Sequence, residues 1–198
     1  DRTTPVSRVD PLVKAMGSEL GMRTEIVKGW NSNLALWKLN MASELLFIGD
    51  AGTTEPSAPS KRYGVEWNNF YAINKELSLD LDLAWAHSRF VNDNNQKTYI
   101  PGAVSSTANI GLSLDNTGPW LGSVRLRYFG PRPLTEDGSI KASSSTLANL
   151  RLGYKLNAQT KVAFDVYNLL NQKANDIEYA YSSQLANEAK PVFDRHIH

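Results

Sequence analysis

Leu77-Ser78-Leu79-Asp80-Leu81-Asp82-Leu83-Ala84-Trp85-Ala86 alternates apolar with polar or small residues without a break. A period of two is the pattern of an extended strand whose side chains point in turn to two different faces. Leu77, Leu79, Leu81, Leu83 and Trp85 occupy one face, and Ser78, Asp80, Asp82, Ala84 and Ala86 the other. One face is greasy and the other carries charge.

The same rule recurs outward along the chain. Ala108, Ile110, Leu112 and Leu114 alternate with Asn109, Gly111, Ser113 and Asp115. Trp120, Val124, Leu126 and Tyr128 are set against Ser123, Arg125 and Arg127, and Ala148, Leu150, Leu152 and Tyr154 against Asn149, Arg151, Gly153 and Lys155. Val162, Phe164 and Val166 are set against Ala163, Asp165 and Tyr167. Weaker alternation sets Leu20, Met22, Thr24 and Ile26 against Arg23 and Glu25, Ala35, Trp37, Leu39 and Met41 against Lys38 and Asn40, and Tyr63, Val65 and Trp67 against Gly64 and Glu66. Strands are therefore expected near residues 18–27, 33–48, 62–72, 77–90, 106–115, 120–130, 145–156 and 161–170. The links alternate too: short near 28–32, 72–76, 116–119 and 157–160, long and rich in Gly, Pro, Ser, Asn and Asp near 49–61, 91–105, 131–144 and 171–198. Short links force antiparallel neighbours. All short turns then collect at one end of an up-and-down meander, and all long loops at the other.

Composition removes several classes of function. The chain has 198 residues, 21 basic and 20 acidic, for a formal charge of +1, and nothing in that balance calls for nucleic acid. With no cysteine there is no disulfide scaffold, thiolate zinc site or cysteine nucleophile. Mean hydropathy is −0.37, and even the longest apolar runs, such as Leu45-Leu46-Phe47-Ile48, stop far short of the roughly 18 or more apolar residues that a helical membrane span needs. Many expected strands reach about 10 to 14 residues, beyond the roughly 5 to 6 common in soluble sheets and enough for a tilted strand to cross a bilayer. Trp30, Tyr71 and Trp120 fall by short turns, and Tyr63, Phe90, Tyr128 and Phe129 by long loops. That placement suits two interfacial girdles. Together these features favour a transmembrane barrel with its apolar face toward lipid; a soluble barrel with that face inside has the same periodicity.

In the membrane reading Arg23, Glu25, Lys38, Glu66, Asp80, Asp82, Arg125, Arg127, Arg151, Lys155 and Asp165 face the lumen. Counting back from the turn near 157–160 sets Arg151 opposite Asp165, a cross-strand ion pair. The same counting from the turn near 72–76 sets Glu66 opposite Asp82. Two like charges there call for water, a cation or a basic segment between them, or simply for a wide hydrated lumen.

No catalytic constellation stands out. His196 and His198 follow Asp194 but lack further ligands at defined spacing, and a solvated loop explains them. His87 falls on the apolar face beside Trp85 while Ser88 alternates to the other, which separates a histidine base from a serine nucleophile. Asn92-Asp93-Asn94-Asn95 and Glu136-Asp137-Gly138 lack the spacing of an EF-hand loop and read as turns. Phosphate-loop, dinucleotide and nucleophile-elbow patterns are absent. Neither an enzyme nor a cofactor is expected.

Val166-Tyr167-Asn168-Leu169-Leu170-Asn171, followed by Gln172-Lys173-Ala174-Asn175-Asp176-Ile177-Glu178-Tyr179, resembles the V-x-N-L-F-D/N signature near the C-terminus of TonB-dependent outer-membrane receptors. Less specific similarity extends through Ser18-Glu19-Leu20-Gly21, Gly49-Asp50-Ala51-Gly52 and Asp194-Arg195-His196. The resemblance implies a 22-stranded barrel with an N-terminal plug that contacts the periplasmic energy-transducing protein TonB. It also implies the Gram-negative outer membrane and import of a scarce, bulky solute such as a ferric siderophore, haem or cobalamin. Plug, energy-coupling box and an aromatic-terminated closing strand are not found in this sequence.

The expectation is thus an all-β, antiparallel segment of about eight strands of a larger barrel, acting in uptake. Residues 1–17 are expected to be an extracellular loop segment, 18–170 the eight strands with short periplasmic turns, and 171–198 a long extracellular loop before a missing closing strand. Its partners would be outer-membrane lipid, an extracellular metal chelate or similar ligand, and TonB through the plug. Ligand contacts are expected in the long loops, with Tyr99, Arg132 and Tyr181 as candidates, Arg132 through paired hydrogen bonds to an anionic chelate. Two alternatives remain at this point: a small autonomous outer-membrane barrel of structural or adhesive role, and a soluble lipid-binding barrel.

Overall fold

The computed structural model describes residues 12–48, 53–91, 98–175, 177–184, 186–187 and 189–197. Among them there is no helix. Fourteen strands run β1 (Ala15–Val27), β2 (Trp30–Met41), β3 (Leu45–Ile48), β4 (Thr53–Pro56), β5 (Ser60–Ala72), β6 (Leu77–Phe90), β7 (Ser106–Thr117), β8 (Trp120–Phe129), β9 (Arg132–Pro133), β10 (Lys141–Ala142), β11 (Ser145–Lys155), β12 (Lys161–Val166), β13 (Glu178–Ser183) and β14 (Val192–Ile197). Eight of them form one antiparallel sheet in the order β1-β2-β5-β6-β7-β8-β11-β12. This is the up-and-down meander that the periodicity demands. No pairing among the described residues joins β1 to β12, so the sheet is a partial barrel with two free edges. The other six strands form three two-stranded hairpins, β3–β4, β9–β10 and β13–β14, all within the long links.

Two kinds of short turn alternate along the sheet. Lys28-Gly29 and Gly118-Pro119 join strands through two residues, with Gly29 and Gly118 in the left-handed region (φ 85° and 58°), and each has a register shift just before it. The other two turns share a different geometry. Asn74 Oδ1 accepts from the amides of Glu76 (2.9 Å) and Leu77 (2.7 Å), and Asn157 Oδ1 from those of Gln159 (3.0 Å) and Thr160 (2.9 Å). Each glycine turn leads into a tryptophan that packs on a tyrosine across the sheet: Trp30 on Tyr71 with ring centroids 5.8 Å apart, Trp120 on Tyr154 at 4.7 Å. The strand-and-turn pattern therefore occurs twice in the wall.

The registers divide the side chains into two faces. Leu34, Trp67 and Leu83 lie in one cross-strand row, and Leu81, Ile110 and Leu126 in another. Many of the large apolar side chains on this face are solvent-exposed, including Leu20, Met22, Leu36, Trp85, Ile110, Leu112 and Phe164. Two polar residues in the middle of it are paired and covered by tryptophans. Trp67 Nε1 donates to Ser32 Oγ (2.9 Å) and Trp30 Nε1 to Asn69 Oδ1 (3.2 Å), and both acceptor residues are buried.

Several sequence expectations need correction. Strand 33–48 is two elements, and β2 turns its Leu34 and Leu36 to the apolar face, with Lys38 and Asn40 on that side. Ala35, Trp37, Leu39 and Met41 belong to the polar face. Both parities of β2 carry apolar residues, so alternation alone was ambiguous; Trp37 fits on the polar face because its ring lies where a side chain at Gly64 would stand. Glu66 pairs with Ala84, and Asp82 with Asn68, because the Asn-stabilised β5–β6 turn makes Ala72–Ser78 the last pair and moves the register by two. Arg151 does oppose Asp165. Phe90 is buried under the loops, and Phe129 points to the polar face, so neither belongs to a girdle. Segment 171–198, expected as a loop, contains the β13–β14 hairpin.

The end of β12 explains the Asn168 motif. Asn168 adopts a left-handed backbone (φ 52°), which stops the strand at Val166 rather than near residue 170. Its amide donates to Asn149 Oδ1 (3.0 Å), its Nδ2 donates to the Gln172 carbonyl (2.9 Å), and its Oδ1 accepts from the Gln172 amide (2.9 Å). Asn tolerates this backbone where other non-glycine residues are strained. Asn168→Ala in the full-length protein should cost about 2 kcal/mol, and Asn168→Gly about 1 kcal/mol because strain is relieved while the bonds are lost. Denaturant titration in detergent checks the order; equal costs would refute the strain argument.

Candidate ligand-binding surface

The polar face carries a connected set of charges. Asp80 and Asp82, two residues apart on β6, point the same way. Asn109 on β7 bridges them, its Nδ2 donating to Asp82 Oδ2 (3.1 Å) and Asp80 Oδ2 (3.4 Å), while Asn68 on β5 donates to Asp82 Oδ1 (3.1 Å). Arg125 on β8 ion-pairs with Asp80 at 3.1 Å across the intervening strand. The reach is possible because the residue between them is Gly111, over which the Asp80 carboxylate lies. The acidic pair is therefore relieved by two amides and one guanidinium, rather than by the pairing of Glu66 with Asp82 that simple counting suggested. Further along, Arg151 and Asp165 pair at 3.4 Å, and Lys155 and Asp115 at 3.0 Å.

Glu66 and Arg127 line a cleft of about 400 Å³ together with Asn68, Asp82, Asn109 and Phe129. All seven charges expected on one face, Glu66, Asp80, Asp82, Arg125, Arg127, Arg151 and Asp165, do share it by register. Asn68, Asn109 and Phe129 were missed as members of the site. The two asparagines were legible as polar-face residues, but their bridging role depends on which carboxylate stands opposite.

At the long-loop end the links are built structures. Residues 98–105 and 130–144 pack on each other through the Gly102 amide to the Pro133 carbonyl (2.8 Å) and the Tyr99 amide to the Glu136 carbonyl (2.9 Å). Phe90, Ile100, Leu134 and Ala142 are the buried apolar residues of this region. Asp137 Oδ1 accepts from Thr135 Oγ1 (2.6 Å), the Ser139 amide (3.0 Å) and Ser139 Oγ (2.8 Å), which is turn chemistry. Asn92-Asp93-Asn94-Asn95 lies outside the described residues, as does His198.

The three ligand candidates are each engaged locally, by different partners. Arg89 caps the Tyr99 ring, its Cζ 3.8 Å from the ring centre. Tyr181 stacks on His196 at 3.8 Å. Arg132 faces Glu178 at 3.7 Å, and Arg195 approaches the same carboxylate at 3.5 Å while donating to Ser143 Oγ (3.3 Å). The Glu178 side chain is only 3% exposed, so two arginines share one buried anion that ties β14 to the β8–β11 link. Glu178 and Arg195 were read from the sequence only as loop residues.

Comparison with known proteins fits this geometry. The family described as TonB dependent receptor-like, beta-barrel matches residues 13–169, and the chain belongs to that family. Its members are transporters rather than enzymes, and here His87 and Ser88 point to opposite faces of β6. Among solved structures, the ferric yersiniabactin uptake receptor FyuA from Yersinia pestis is 18% identical with a TM-score of 0.68, over 93% of this chain and 28% of that one. The ferric-catecholate import receptor Fiu from E. coli K12 is 19% identical with a TM-score of 0.64, over 85% and 24%. The copper transporter OprC is 18% identical with a TM-score of 0.63, over 92% and 30%. The chain thus spans less than a third of each of these receptors. No curated protein matches the sequence.

The shared anion gives a test of the loop layer. Removing one member of a buried ion pair costs about 3–5 kcal/mol; Glu178→Gln should therefore release the β13–β14 hairpin and speed limited trypsin cleavage after Arg195. Glu136→Gln, with an exposed side chain in the β8–β11 link outside that cluster, should leave the cleavage rate unchanged. An equal rate in both variants would show that Glu178 does not hold the hairpin.

Proposed function

We propose that the chain is part of the barrel wall of an outer-membrane receptor that imports a scarce, bulky solute, of the ferric siderophore, haem, cobalamin or copper-chelate kind. The apolar face meets lipid, the polar face lines the lumen, the short turns are periplasmic and the long links extracellular. The observation that carries the reading is the segregation of the sheet: a band of exposed apolar side chains on one side, bridged carboxylates and arginines on the other, and folded hairpins at one end only. A hydrated lumen accommodates those charges without burying them, and small folded units on the rim suit capture of a ligand from outside. In this reading Tyr99, Arg132 and Tyr181 shape the rim, and Arg132 and Arg195, two cations around one carboxylate, leave an excess positive charge for an anionic chelate. Energy comes from TonB through a plug elsewhere in the receptor.

The direct test is uptake by the full-length receptor in a strain lacking it, offered radiolabelled ferric siderophores, ferric citrate, haem, cobalamin and copper separately. Accumulation of one solute, abolished by an uncoupler, supports the proposal; accumulation of none, or accumulation indifferent to the uncoupler, refutes it. The orientation has its own test. Ile110, 41% exposed on the apolar face, when changed to Arg should cost about 2–4 kcal/mol in a bilayer, as a cation near the midplane does. Ser113→Arg, on the polar face, should stay within about 0.5 kcal/mol. Urea unfolding from liposomes reads both, and a reversed order would put the polar face toward lipid.

A further inference from the structure

Charges on the eight-stranded sheet are partitioned more sharply than a wet face and a dry face require. Every Asp and Glu of the eight strands, from Glu19 on β1 to Asp165 on β12, lies on the polar face. Three cations do not. Lys38, Lys61 and Arg89 lie on the apolar face, and all three stand at its long-loop end. Lys61 on β5 is directly opposite Arg89 on β6, and Lys38 on β2 is one pair further in, opposite Tyr63. Like charges facing each other on adjacent strands are unfavourable unless an anion lies between them, and no carboxylate of these strands is on that face to supply it.

What surrounds the cations fixes their depth. One row toward the middle of the sheet, Tyr63 stacks on His87 at 5.0 Å, and Trp85 packs edge-on against Tyr63 at 6.0 Å. Amphipathic rings mark the level of lipid headgroups, so the cations stand at or just outside it. Beside them is a cleft of about 190 Å³ lined by Trp85, His87, Arg89, Tyr99, Val104 and Lys141. Arg89 is held there by Tyr99 and by a 2.8 Å bond to the Ser88 carbonyl, and Lys141 Nζ lies 6.0 Å from the same ring. A cationic strip along an aromatic and apolar band is complementary to one kind of occupant, a lipid with phosphate on its headgroup and acyl chains below.

We propose that Lys38, Lys61, Arg89 and Lys141 form a binding site for a phosphate-bearing lipid of the leaflet that surrounds the long loops. This rests on the membrane placement given under the proposed function. The phosphate sits between Lys61 and Arg89, where the two cations would otherwise repel, and the acyl chains run down over Tyr63, Trp85 and the leucines beneath.

The experiment is native mass spectrometry of the full-length receptor in a neutral detergent, titrated with diphosphorylated lipid A, with its dephosphorylated form, and with inorganic phosphate. Lys38→Gln with Lys61→Gln should weaken binding of the phosphorylated lipid about 25-fold, and adding Arg89→Gln about 100-fold, at roughly fivefold per charge removed. The double variant keeps the Arg89–Tyr99 contact, so a folding defect from its loss cannot imitate the result. Lys75→Gln, in a short turn, should change nothing. Unchanged binding by the variants overturns the site. So does equal binding of the dephosphorylated lipid, which would mean apolar adhesion alone, or of inorganic phosphate, which would mean a soluble anion site. A receptor that does not fractionate with outer membranes fails the membrane placement; one that does, yet binds lipid equally after the substitutions, fails this inference only.

Discussion

Cross-strand pairing of backbone N–H and C=O groups is the constraint on which this wall depends. A hydrocarbon environment offers those groups no alternative partner, so the strands must run paired over their whole length or close a barrel. Six of the seven strand contacts within the sheet are paired over nine or more residues; only β11–β12 is shorter, because Asn168 ends the last strand early. The same constraint reaches the side chains. On the apolar face Ser32 and Asn69 are buried beneath Trp67 and Trp30, whose indole N–H groups they in turn satisfy.

Once pairing sets the registers, the polar face follows as an arrangement of charges at fixed spacing. Asp80 and Asp82 cannot move apart, since their backbone positions are set by β5 and β7. Relief comes instead from neighbours: an amide on either side, and an arginine two strands away that reaches over a residue with no side chain. Arg125 and Asp80 are each partly exposed, so the pair organises the surface more than it stabilises the sheet. The free edges of β1 and β12 fit a chain that covers less than a third of the receptors it resembles.

The long-loop end obeys different physics. There the chain builds hairpins and a small buried cluster around Phe90, Ile100, Leu134 and Ala142, and it uses ionic ties such as Glu178 with Arg132 and Arg195. The residues read from the sequence as ligand candidates also make local contacts in this construction. Tyr99 supports Arg89, and through Arg89 the loop layer meets the band of cations on the apolar face. The rim thus couples the link after β6 to the apolar surface as well as to the mouth of the polar face.

The strands themselves were legible in the sequence because period-2 alternation is a local property, and β6 and β8 begin where their alternation does. The Arg151–Asp165 pair could be counted from a nearby turn for the same reason. Where a strand is apolar in both parities, as from Leu34 to Met41, local pattern is silent, and only pairing with β1 and β5, with room for Trp37 over Gly64, decided the face. Glu66 and Asp82 were misplaced because a turn's length depends on which backbone groups an asparagine captures, here Glu76 and Leu77. The hairpins, the buried Glu178 and the strip of Lys38, Lys61 and Arg89 were beyond reach for a related reason: each joins residues far apart in the chain, and only the tertiary structure sets such distances.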